Sequence, residues 1–153
     1  MTRRHLIALV VTLCSALALP VVASAADPGA TGGTATFVVR VIEASQAAAP
    51  KVDARLGEMR REMRPFEGRY NHFTLLSEQT FTLQIGKDGS VSLPGGGAFV
   101  LELMGFVPGK VRRVRYQVTS PGAKQTRSVA PGGRTLDAIP NDKSLTIVAT
   151  TVR

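Results

Sequence analysis

The 153 residues include one cysteine, two histidines, two tyrosines and no tryptophan. Each scarcity excludes something. The single cysteine, Cys14, lies in an apolar run near the start, so the residues beyond it can build no disulfide, no cysteine-ligated zinc site and no cysteine nucleophile. His72 is the only histidine past His5. A metal site at His72 needs carboxylates converging on it, and its nearest acids in sequence, Glu67 and Glu78, have no ligand spacing. A serine triad would also depend on His72, and there is no Gly-x-Ser-x-Gly elbow. Paired-carboxylate hydrolysis finds no recognisable constellation among the 11 acidic residues. Stacking on sugars would rest on Tyr70 and Tyr116 alone. Nothing indicates a metal or a cofactor.

What is present begins with an export pattern. Thr2-Arg3-Arg4-His5 is a short basic start, and Leu6–Leu19 is an apolar run of about 14 residues ended by Pro20. That length matches a signal-peptide core and falls short of the roughly 20 residues a spanning helix needs. Ala23-Ser24-Ala25 supplies the small side chains a signal peptidase requires. The expectation is a signal peptide over residues 1–25, cleaved after Ala25, a flexible lead-in over 26–33 and one domain over 34–153. Cleavage leaves no transmembrane segment. It also removes Cys14, Arg3 and Arg4, and lowers the net charge from +8 to +6. The destination is the periplasm or the cell exterior.

The remainder patterns as β structure. Ala35, Phe37, Val39 and Val41 alternate along the first strand, read over Thr34–Glu43, and Val38 and Ile42 make its second face partly apolar, as in a central strand. One helix follows. Asp53 suits its N-cap, Val52, Leu56, Met59 and Met63 form its apolar stripe, and Pro65 is expected to end it. Gly57 inside that helix suggests close packing on a sheet. Lys87-Asp88-Gly89-Ser90 reads as a hairpin turn. Pro-Gly pairs begin at 94, 108, 121 and 131, a spacing typical of short consecutive strands. The fold class expected is mainly β: an antiparallel sandwich or barrel-like domain of about seven or eight strands with one amphipathic helix. The alternative is an α+β fold with a single sheet under the helix.

The densest chemistry is cationic. In Lys110-Val111-Arg112-Arg113-Val114-Arg115-Tyr116, alternation places Arg113, Arg115 and Gln117 on one face and Val114, Tyr116 and Val118 on the other, with Arg112 at the rim of the latter. Lys110 is read as starting that strand. Arginines so displayed suit carboxylate or phosphate groups, although a charged strand also protects a sheet from edge pairing. Arg60, Arg61 and Arg64, off the helix stripe, are a second cationic set. Pro121-Gly122-Ala123-Lys124-Gln125-Thr126 lacks the glycine spacing and the Gly-Lys-Ser/Thr ending of a phosphate loop.

Val39-Arg40-Val41-Ile42-Glu43-Ala44-Ser45, Asp53-Ala54-Arg55-Leu56, Phe66 and Phe73-Thr74-Leu75-Leu76 together resemble an uncharacterised family of small exported β-rich proteins of Gram-negative bacteria. The resemblance spans residues 37–119. It implies a periplasmic or secreted setting and transfers no site residues.

The function expected is therefore a non-enzymatic binding or interaction domain, an accessory component of an envelope assembly. Its partner would be an envelope protein or an anionic envelope polymer rather than nucleic acid. The candidate contacts are Lys110, Arg113, Arg115, Arg60, Arg61 and Arg64. A glycan- or ligand-binding β-sandwich module is the alternative, and a hydrolase the second alternative.

Overall fold

The computed structural model describes residues 32–153. The leader read over 1–25, its cleavage point and most of the lead-in 26–33 lie outside the described residues. Those described form nine strands: β1 (Thr34–Ser45), β2 (Lys51–Val52), β3 (His72–Gln84), β4 (Asp88–Ser92), β5 (Ala98–Val107), β6 (Arg113–Ser120), β7 (Ala123–Val129), β8 (Arg134–Pro140) and β9 (Ser144–Val152). They make two sheets: sheet A in the order β2-β3-β1-β9-β8, and sheet B in the order β4-β5-β6-β7. All neighbours are antiparallel except β2 and β3. The fold is a mainly β sandwich, and the single-sheet alternative does not hold. The strand number exceeds the expected seven or eight; two-residue β2 has too little sequence to show a period.

The sheets face each other across one core. Phe37, Val39 and Val41 of β1 meet Leu101 and Leu103 of β5 and Val114, Tyr116 and Val118 of β6. The Phe37 and Tyr116 rings pack edge to face, centroids 5.3 Å apart. A second core lies on the outer face of sheet A. There Ile42, Ala44, Phe73, Leu75, Leu145 and Ile147 are covered by Leu56, Met59 and Met63 of the helical segment. β1 is thus apolar on both faces because it is central and covered on both sides. Each fully buried side chain of this kind contributes about 1.5–3 kcal/mol.

β3 serves both cores through one bulge. Val41 pairs with Ser77 but Ile42 pairs with Leu75, so Leu76 is the extra residue. Phe81 and Leu83 therefore face sheet B, while Phe73 and Leu75, at the same odd parity, face the helix. β5 has an equivalent irregularity at Met104, between Leu103 and Gly105. Leu76 and Met104 are 44% and 43% exposed, so the bulges account for two of the three exposed large apolar side chains among the described residues.

The helical segment corrects three expectations. It opens as a 3-10 turn (Ala54–Met59) and continues as α1 (Arg60–Glu67), so the apolar stripe crosses two kinds of helix. Pro65 lies inside α1 instead of ending it; it forgoes one amide bond late in a short helix that closes at Gly68. Gly57 is exposed, with nothing within 4 Å of where a Cβ would stand, so it marks no close packing. The expected cap is present: Asp53 Oδ1 accepts from the Arg55 amide at 3.0 Å.

The Asp88-Gly89 hairpin is also corrected. Gly86, at φ 76°, makes the turn, and the chain passes there from sheet A to sheet B. Asp88 and Gly89 are strand residues of β4. Gly89 is buried because the Phe81 ring occupies the space beside it: a Cβ would stand 2.6 Å from that ring. Pro121-Gly122 does turn the chain, joining β6 to β7 with Gly122 at φ 78°.

Candidate anion-binding surface

The structure divides the six candidate cations between opposite sides of the sandwich. Arg113 and Arg115 are exposed on the outer face of sheet B, while Val114, Tyr116 and Val118 alternate into the core. Lys110 does not start β6; it is exposed in the loop 108–112 between β5 and β6. Arg60, Arg61 and Arg64 are exposed on α1, which covers the outer face of sheet A. No single surface gathers all six.

The two groups differ in their acidic neighbours. Arg60, Arg61 and Arg64 share a short segment with Glu58, Glu62 and Glu67, although none of the three has an ion-pair partner among the described residues. Between Glu102 and Asp137 there is no acidic residue at all, yet that stretch holds Lys110, Arg112, Arg113, Arg115, Lys124, Arg127 and Arg134. This signal was available in the sequence, and it adds Arg112 and Lys124 to the candidates. Arg127 and Arg134 are held in ion pairs. Among the described residues, the other five have no ion-pair partner.

Neighbouring strands extend the sheet B patch. Arg115 stands opposite Ser128, Gln117 opposite Thr126, and Thr119 opposite Lys124. Arg113 donates to the Ser128 carbonyl at 2.6 Å, which ties its long side chain along the sheet. Arg112 is exposed rather than at the rim of the core, and its guanidinium lies 3.7 Å from the centroid of the Phe106 ring. Glu102, opposite Gln117, and Asp88, opposite Glu102 in turn, are acids that border the patch.

Other polar groups are already engaged with each other. A cleft of about 270 Å³ on the sheet A side is lined by Arg40, Glu58, Arg134, Thr151 and Arg153. Two of its basic groups are satisfied from within: Glu58 and Glu78 hold Arg40, and Glu62 and Thr151 hold Arg134 at 2.9 and 3.0 Å. The Arg40 hydrogen bond keeps the Glu58 carboxyl below its usual range. On the inner faces, Arg127 of β7 reaches Asp137 of β8 at 2.8 Å, and the Tyr116 hydroxyl meets Thr135 at 2.9 Å. Both contacts bridge the sheets. Burial raises the Asp137 pKa even though Arg127 opposes the shift.

Tyr116 is fully buried, which leaves Tyr70, half-buried, as the remaining tyrosine for sugar stacking. His72 opens β3 opposite Ser45, and its Nδ1 is buried without a hydrogen-bond partner. No cluster of three histidine or acidic residues among the described residues is placed to hold a metal ion. No described helix is long and apolar enough to cross a membrane. No family model, curated protein or solved structure matches this chain.

Proposed function

We propose that this protein is a non-enzymatic interaction domain, exported to the periplasm or the cell exterior, that binds an anionic envelope partner through the outer face of sheet B. One observation carries the reading. Arg113 and Arg115 stand exposed two residues apart on β6, in a stretch without acids, and neither has an ion-pair partner among the described residues. Cations left without a counter-charge raise the local positive potential and draw anions to that face. Guanidinium groups there offer bidentate donation to carboxylate, sulfate or phosphate. The basic start, apolar core and Ala23-Ser24-Ala25 site support export.

The test is titration of residues 26–153 with a soluble polyanion, dextran sulfate, and with uncharged dextran as control. Binding of dextran sulfate alone, weakened by salt and by Arg113→Gln/Arg115→Gln, is the expected result. Equal binding of both polymers, or of neither, would overturn the reading.

A further inference from the structure

Resting on that reading, we infer that the anionic partner is a phospholipid surface, onto which the protein docks with the β5–β6 loop foremost. The loop, residues 108–112, carries Lys110, Val111 and Arg112, and Arg113 follows at the start of β6. Val111 is 58% exposed, the largest exposure among the exposed large apolar side chains described. An exposed apolar side chain in a loop, bracketed by cations, matches the layering of a bilayer interface. The apolar group enters the acyl boundary and the basic groups stay among anionic headgroups.

A soluble polymer would use the cations but has no place for Val111. Met104, 43% exposed at the β5 bulge next to Gly105, the register partner of Arg115, adds a second apolar contact near the cations. Phe106 and the Arg112 guanidinium stacked on it brace the base of the loop. The chain also enters the domain here, since Gly33 lies directly against the Phe106 ring and Arg112.

Electrostatic attraction and apolar insertion make separate contributions. Each basic group at an anionic bilayer tightens binding by about fivefold, so losing Arg113 and Arg115 together lowers partitioning roughly 25-fold. Exposing Val111 to headgroups instead of acyl chains lowers it by about tenfold.

Tryptophan is absent from the chain, so Val111→Trp supplies a lone indole in the loop, excited apart from the two tyrosines. Because Val111 is exposed in a loop, the substitution leaves the core untouched. The variant is mixed with phosphatidylcholine vesicles with and without phosphatidylglycerol, and with brominated lipid as quencher. A blue shift and quenching only with phosphatidylglycerol are expected, lost on adding Arg113→Gln/Arg115→Gln. In the otherwise native chain, Val111→Ser is expected to weaken vesicle binding while leaving dextran sulfate binding unchanged. Dextran sulfate binding without a blue shift on vesicles would overturn the lipid inference and leave the anionic-partner reading standing. Failure to bind either anion would overturn both.

Discussion

The two sheets share one core but differ on their outer faces. Sheet A turns Ile42, Phe73, Leu75 and Ile147 outward and covers them with Leu56, Met59 and Met63. Two of its cations, Arg40 and Arg134, are matched to Glu58, Glu62 and Glu78. Sheet B turns Arg113, Arg115, Gln117 and Lys124 outward, with Glu102 and Asp88 beside them, and no described helical segment packs on them. The difference teaches which cations the fold uses for itself. On the sheet A side, the apolar surface and the cations Arg40 and Arg134 are used within the fold, while Arg60, Arg61 and Arg64 stay exposed on the helix. On the sheet B side, the charge is left for something outside it.

The largest effect that tests this contrast is on stability. Leu56→Ala, which empties a fully buried position under the helical segment, is expected to cost about 2–5 kcal/mol in denaturant unfolding. Met104→Ala, on sheet B, is expected to stay within about 0.5 kcal/mol. Equal losses would mean that sheet B's outer face is also structural. Gly89→Ala comes next, at about 1–3 kcal/mol, because its methyl group collides with the Phe81 ring. Arg134→Gln is expected to cost about 1–2 kcal/mol through lost bonds to Glu62 and Thr151, against less than about 0.5 kcal/mol for Arg115→Gln.

The smallest effect is the response to acid. Arg55 holds the Asp53 carboxyl below its ordinary 3.8, and Arg40 holds Glu58 below its ordinary 4.5. Their stabilisation is whole above those ordinary values and is lost as the pH falls through the depressed ones. Asp137 runs the other way. Its raised pKa gives a contribution present below 3.8 that is lost as the pH rises through the folded value. Urea midpoints measured between about pH 3 and 6 should therefore fall less steeply on acidification for Asp53→Asn and Glu58→Gln, and more steeply for Asp137→Asn.

Much of the fold was legible because alternation and burial coincide. β1 read as central from Val38 and Ile42, and β6 read correctly from Val114, Tyr116 and Val118. The errors have physical causes. Strict period-2 counting carries no trace of the Leu76 bulge, so the two faces served by β3 were not visible. Asp88-Gly89 has turn composition, but its glycine answers to the Phe81 ring rather than to a turn. Pro65 and Gly57 were weighed as local signals in a segment shaped by the apolar contacts of Leu56, Met59 and Met63. In the candidate surface, Arg113 and Arg115 were legible from alternation. The separation of Arg60, Arg61 and Arg64 from them was not, because it follows from which sheet the helical segment covers.

The most direct measurement compares two double variants that remove equal charge from opposite sides. Arg113→Gln/Arg115→Gln and Arg60→Gln/Arg61→Gln are titrated with dextran sulfate at one ionic strength. Binding through sheet B predicts a loss of at least about tenfold for the first and no more than about twofold for the second. Equal losses, which would mean that only net charge matters, or a larger loss for the helix pair, would contradict it.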